Sequence, residues 1–132
     1  MANANEELVR KGYEAFGSGD MDTLAQLMAH DVVHSFPGTS QVSGDHKGRD
    51  AAFAMYGKLF ELSGGTFKAD LQGTTAKGDD TVVARHGHSA ARDGKTIDVE
   101  ETLTFTIEDG QMTRLESSFR SGDQAAVDDF WA

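Results

Sequence analysis

The stretch Ile97-Asp98-Val99-Glu100-Glu101-Thr102-Leu103-Thr104-Phe105-Thr106-Ile107, followed by Glu108-Asp109-Gly110-Gln111-Met112, decides the fold. Apolar and polar residues alternate along it, the period of a strand whose successive side chains point to opposite faces. Ile97, Val99, Leu103, Phe105 and Ile107 share one face. The Asp109-Gly110 pair that follows is a hairpin signal, because both residue types accept the positive φ that a tight turn demands. Glu101 falls in the middle of the apolar face. A carboxylate there must be paired, protonated or turned toward a polar cavity, since unpaired burial is costly. Glu101 is therefore the first candidate for chemistry; the alternative is a structural ion pair or an exposed sheet edge.

Outward from this strand the same period continues. Strands are expected at Thr66–Ala76, Thr81–Ala90, Thr96–Ile107 and Met112–Arg120, separated by Lys77-Gly78-Asp79-Asp80, Arg92-Asp93-Gly94-Lys95 and Glu108-Asp109-Gly110-Gln111. Such turns imply a long antiparallel meander. The front of the chain reads as helical instead. From about Asn5 to Gly17, Leu8, Gly12, Tyr13 and Phe16 lie on one helix face, with charged residues largely on the other. Asp20 is placed to cap a second, short helix carrying Leu24, Leu27 and Met28. Val32–Phe36 reads as a short strand stopped by Pro37-Gly38, and polar Thr39–Lys47 as a loop. Gly48-Arg49-Asp50 opens a third helix running to about Leu62, and Gln124–Trp131 adds a further helical turn or two. Helices followed by long antiparallel strands place residues 1–132 in one α+β domain, with the helices covering one face of a bent sheet. That arrangement makes a cone with a pocket between sheet and helices.

Composition narrows the partners. The formal charge of −10, from 22 acidic against 12 Lys and Arg residues, repels phosphate backbones, so nucleic-acid binding is not expected. No apolar run approaches the roughly 20 residues of a membrane span. The start lacks the basic and apolar regions of a signal peptide, which makes the cytoplasm the expectation. The absence of cysteine excludes disulfides, thiolate metal sites and a cysteine nucleophile. No G-x-S-x-G, Walker A or H-E-x-x-H motif occurs.

Four local segments carry a resemblance: Tyr13-Glu14-Ala15-Phe16 with Gly19-Asp20-Met21-Asp22-Thr23-Leu24; His30-Asp31-Val32-Val33; Gly48-Arg49-Asp50-Ala51; and Phe105 through Met112. In this order the chain resembles the nuclear transport factor 2-like (cystatin-like) superfamily, and more narrowly its SnoaL-like, ketosteroid-isomerase-related proteins. The resemblance implies a cone-shaped α+β barrel: a curved antiparallel sheet wrapped around the N-terminal helices. It implies a family of isomerases, cyclases, dehydratases, epoxide hydrolases and non-catalytic binding domains, so the fold leaves the function open. Steroid isomerases carry a general-base aspartate just before the proline that ends the first strand; the matching residue here is Phe36, which accepts no proton. Polyketide cyclases carry an acid on the last strand; the matching residue is Ser117, or Glu116 with a slip of one.

Register decides which side chains meet Glu101. A three-residue loop Arg92-Asp93-Gly94 sets Arg85 opposite Glu101; a two- or four-residue loop brings His86 or Ala84 instead. A bulged turn at Asp109-Gly110 pairs Ile107 with Gln111, Glu101 with Ser117 and Val99 with Phe119, and is preferred because it matches apolar with apolar residues.

These readings yield a candidate site. Glu101 and His34 are the candidate acid–base residues, since a carboxylate in a partly dry pocket and a histidine both titrate near neutrality, and the resemblance implies that the strand of His34 begins the cavity wall. Arg85, if it pairs Glu101, lowers its pKa and removes it as a base. The resemblance implies that pocket tyrosines donate to a substrate oxygen, which makes Tyr13 and Tyr56 candidates, with Phe36, Leu103, Ser117 and Phe119 as further lining residues. Trp131 is expected at the pocket mouth or in a dimer contact. No cofactor is expected; a metal on His86 and His88 is set aside because no third ligand stands close in sequence. The expected partners are a small apolar ligand bearing one or two oxygens and, as the resemblance implies, a second copy of the chain against the outer sheet face with Thr102, Thr104, Thr106 and Thr113. A non-catalytic binding or dimerisation module is the alternative.

Overall fold

The computed structural model describes residues 3–132. Helix α1 (Ala4–Ser18) begins where the Asn3 side chain accepts the backbone N–H groups of Asn5 and Glu6, and ends at Gly19 with φ 74°. Asp20 caps α2 (Met21–Leu27) through the Thr23 N–H, as its position suggested. Strand β1 (Met28–Phe36) follows directly, starting earlier than the apolar run alone indicated. Then come β2 (Gly44–Lys47), α3 (Arg49–Leu62), β3 (Lys68–Lys77), β4 (Thr81–Arg92), β5 (Lys95–Glu108), β6 (Gln111–Phe119) and α4 (Ser121–Phe130).

The strands form one curved, open sheet in the order β2-β1-β6-β5-β4-β3. The α+β class and the cystatin-like architecture hold. Within it, β1 runs parallel to β6, because the chain returns to the sheet through the whole α3–β5 segment, and every other neighbouring pair is antiparallel. Part of the expected loop before α3 is the edge strand β2, which pairs Phe36 with Gly44 and Val33 with Lys47. Its residues are mostly exposed, so it carries no apolar alternation for a sequence reading to find.

Both Asp-Gly hairpins close with two-residue turns. Asp93 (φ 51°) and Gly94 (φ 79°) link the pair Arg92–Lys95; Asp109 (φ 52°) and Gly110 (φ 75°) link Glu108–Gln111. Positive φ at both central residues matches the right-handed twist of the strands. The three-residue loop expected at Arg92 is thereby corrected. His86 stands opposite Glu101, and Arg85 opposite Thr102 on the outer face. The β5–β6 register is corrected as well. Ile107 pairs with Met112 but Thr106 with Arg114, so a bulge at Thr113 shifts the ladder by one residue. Leu103 then meets Ser117, and Glu101 meets Phe119. This shift and the expected register differ by two residues, so Leu115, Ser117 and Phe119 keep the side they were assigned, and Glu116 stays outside.

The core lies between the helices and the concave face of the sheet, with Val9, Leu24, Val32, Leu59, Phe105 and Met112 among its buried members. Helix α4 closes one end. Arg92 Nη1 donates to the carbonyls of Phe130 (2.7 Å) and Ala132 (2.9 Å), and Trp131 is wholly buried. No helix among the described residues is long and apolar enough to cross a membrane.

Candidate active site

A cavity of about 70 Å³ lies between α1, α3 and the sheet. Its wall is mainly apolar, from Val9, Phe16, Met28, Met55, Phe67 and Leu103, among others. Against this lining stand five polar side chains: Tyr13 from α1, Tyr56 from α3, His34 from β1, His86 from β4 and Glu101 from β5. Each is there for a local reason. Tyr13 and Tyr56 lie on inward helix faces, and His34, His86 and Glu101 on inward strand positions. Gly12 lets α1 come close, since a β-carbon there would stand 2.8 Å from Met112 Cε.

Two hydrogen-bonded chains reach the cavity. In the first, Tyr13 Oη lies 2.5 Å from His86 Nδ1, and His86 Nε2 lies 3.1 Å from Glu101 Oε1. The same oxygen meets His88 Nδ1 at 2.9 Å, and the Trp131 indole Nε1–H donates to His88 Nε2 at 3.0 Å. Oε1 of Glu101 is thus taken by two histidines. In the second chain, His34 Nδ1 lies 2.7 Å from Tyr56 Oη, and its Nε2 lies 2.9 Å from Ser117 Oγ. Among the described residues no buried side-chain polar atom is left without a partner.

The electrostatics follow from this wiring. Burial alone pushes the Glu101 carboxyl up, but the hydrogen bonds from His86 and His88 outweigh it and hold Glu101 below the usual carboxylate range. Burial lowers His34 to about 4, against a smaller opposing pull from the Glu101 charge, so this imidazole is neutral at pH 7. Burial and then the Glu101 charge raise both Tyr13 and Tyr56 above the ordinary tyrosine value. Glu101 is therefore an anion in a dry site, and both hydroxyls keep their protons.

The structure brings together Glu101, His34, Tyr13, Tyr56, Phe36 and Leu103 around the cavity. Ser117 sits behind His34 and reaches the cavity only through it. Phe119 packs against the His88 ring, with centroids 5.4 Å apart. Arg85 is not part of the site. Its side chain is 58% exposed, on the outer face, with Glu100 3.8 Å away. The reason lies in β4 itself, where Val82, Ala84, His86, His88 and Ala90 take the buried positions. Arginine is rarely the buried member of such an alternation, and that signal pointed to His86. Trp131 is neither at a mouth nor exposed, but sits in the core as the partner of His88.

His86, His88 and Glu101 also offer three ligand atoms within 4.8 Å of one another. Their chemistry does not suit a cation. A metal on His88 Nδ1 moves that ring's proton to Nε2, where it faces the Trp131 N–H, a group that can only donate.

A family model described as SnoaL-like domain matches residues 9–115. An uncharacterized protein of Mycobacterium tuberculosis (strain H37Rv) is 33% identical over 130 residues, covering 98% of each chain. Among solved structures, Bal32a from a soil-derived mobile gene cassette has a TM-score of 0.94 at 40% identity, covering 98% of this chain and 97% of that one. A protein with a cystatin-like fold from Xanthomonas campestris has a TM-score of 0.89 at 30% identity, covering 99% of both.

Proposed function

The chain belongs to the SnoaL-like family of the nuclear transport factor 2-like superfamily, and from that premise we propose that it binds a small, largely apolar molecule bearing one or two oxygens and moves a proton on it without a cofactor. Isomerisation, dehydration and aldol-type cyclisation are the reactions of this kind. The observation that carries the reading is the meeting of two tyrosine hydroxyls, a neutral histidine and an ionised carboxylate on the wall of one apolar cavity. A structural core would be served by apolar side chains at lower desolvation cost.

The roles divide by chain. With its single proton on Nδ1, His34 donates to Tyr56 Oη, and the Tyr56 hydroxyl proton is free for a substrate carbonyl oxygen. Ser117 supports that tautomer by donating to Nε2. The chain from Tyr13 to Glu101 supplies acid–base capacity on the opposite wall. A molecule larger than the cavity reaches a second, outer hollow of about 570 Å³ beyond Phe16 and Tyr56, which line both spaces.

A non-catalytic module is the second reading. It is favoured by the small inner volume and by the hydrogen-bonded state of every buried side-chain polar atom among the described residues. In it, the half-exposed Thr102, Thr104, Thr106 and Thr113 of the outer face form a wet contact with a second copy. Thermal-shift screening with small ketones, enones and hydroxylated aromatics decides between the two. The first reading expects a stabilising ligand whose effect is lost in Glu101→Gln and Tyr56→Phe. An unchanged ligand response in both variants removes this site from the function. A dimer by light scattering without any stabilising ligand favours the second.

A further inference from the structure

The chain Trp131–His88–Glu101–His86–Tyr13 has a direction, set by its two one-way groups: the Trp131 indole N–H, which only donates, and the Glu101 carboxylate, which only accepts. An indole nitrogen can donate and never accept, so the 3.0 Å contact makes His88 Nε2 an acceptor. His88 then carries its proton on Nδ1 and donates it to Glu101 Oε1 at 2.9 Å. Phe67, Phe119 and Trp131 pack edge-on around the ring, with centroids 4.9, 5.4 and 5.8 Å away, and hold this orientation. Glu101 is acceptor-only as a carboxylate, so His86 Nε2, 3.1 Å from the same oxygen, is also a donor. In a neutral His86 ring, Nδ1 is left as an acceptor, and among the described residues the hydrogen it meets is that of Tyr13, at 2.5 Å. The Tyr13 proton therefore points away from the cavity, and its oxygen lone pairs point in.

We propose that Tyr13, rather than Glu101, takes the proton from the bound molecule, that His86 receives Tyr13's own proton, that the Glu101 carboxylate sets this direction, and that Trp131 is the positioning residue that keeps the His88 ring donating to that carboxylate. The inference rests on the proton-transfer reading of the cavity. A ligand C–H bond next to a carbonyl breaks, and its proton forms a new O–H bond on Tyr13. The former Tyr13 proton moves to His86 Nδ1, giving an imidazolium beside the Glu101 carboxylate. The electron pair stays on the ligand as an enolate whose oxygen meets the Tyr56 hydroxyl. No tyrosinate accumulates, because the phenol gains one proton as it loses another. Return of the proton to a different carbon completes an isomerisation, and its transfer to a leaving hydroxyl completes a dehydration.

Histidine ring tautomers, read by two-bond nitrogen–proton NMR on the free protein, test this without any ligand. The expected wild-type pattern at neutral pH is His88 protonated at Nδ1 only and His86 at Nε2 only, with scalar coupling across the hydrogen bond from Trp131 Nε1 to His88 Nε2. A proton on His86 Nδ1, in either a second tautomer or a cation, overturns the direction, as does His88 protonated at Nε2. In folded Trp131→Phe, His88 Nε2 loses its donor and is free to take a proton, so an imidazolium is expected beside the Nδ1–H form; a ring that stays wholly in the Nδ1–H form removes Trp131 from its role. If that variant does not fold, the wild-type coupling alone decides, and its absence removes Trp131 equally. A failed ligand screen sinks the binding reading with these tautomers intact, whereas wrong tautomers sink this inference whatever binds.

Discussion

His86 and Glu101 face each other across β4 and β5, with Nε2 and Oε1 3.1 Å apart inside the sheet's concave face. The pair makes Glu101 a charged member of a buried network rather than a lone carboxylate in search of a proton. A lone buried carboxylate would titrate upward, whereas this one is held down.

The first prediction concerns acid stability. Because the folded-state pKa of Glu101 lies below its unfolded value, its contribution is present above the unfolded pKa and is lost as pH falls toward the folded one. Glu101→Gln is expected to cost about 2–3 kcal/mol at pH 7, as a buried charge network loses its centre. Urea titrations from pH 7 to pH 3 should show a gap between wild type and variant that narrows below about pH 4. A gap that stays constant over this range would show that the carboxylate titrates alike in folded and unfolded chains.

His34 acts over a different window. Its folded-state pKa of about 4 lies below the ordinary 6.5, so the unfolded chain binds the proton first as pH falls. Stability is expected to drop between about pH 6.5 and pH 4, by up to about 3 kcal/mol from this group. His34→Gln is expected to be less stable at neutral pH, through its loosened contacts with Tyr56 and Ser117, yet flatter across that interval. Melting temperatures at half-unit steps of pH check the slope, and equal slopes in the two proteins would rule the histidine out as its source.

Arg85→Ala is expected to change stability by less than about 0.5 kcal/mol and to leave any ligand response unaltered, since an exposed ion pair at 3.8 Å contributes little. A His86→Ala comparison should cost several times more, because it strands buried partners on both sides. Chemical denaturation of the two variants in parallel gives the ratio; equal losses would contradict the register described.

Gly12→Ala probes the cavity from the helix side. Helix propensity favours alanine by about 1 kcal/mol, while the new methyl group pushes against the flexible end of Met112. Stability is expected to stay within about 1 kcal/mol of wild type. Met112 Cε moves into the 70 Å³ space, so affinity for any cavity ligand falls. Isothermal titration with a thermal-shift hit measures it, and unchanged affinity would place the ligand elsewhere.

Much of the fold was legible because periodicity is a local property. The alternation through β5, the Asp-Gly turns and the Asp20 cap each depend on residues within a few positions of one another, and together they specify element order, the α+β class and the inward face carrying Glu101. Tyr13 and Tyr56 were legible as inward residues for the same reason, and His34 through the resemblance, which sets its strand on the cavity wall. Edge strand β2 was not, because an exposed edge pairs through its backbone and leaves no pattern in its side chains.

Only the tertiary structure decided what those inward residues touch. A hairpin one residue longer or shorter exchanges His86 for Arg85, and alternation within β5 alone is blind to the difference. The two-residue turn and the bulge at Thr113 together moved Ser117 from Glu101 to Leu103 without changing its face. His88 meets Trp131, 43 residues away in sequence, and no local spacing encodes that contact. The chain determined by itself that a carboxylate would stand on the apolar face of β5; long-range packing determined that it would be buried, and buried as an anion held between two histidines, since hydrogen-bond partners are fixed only when distant segments meet.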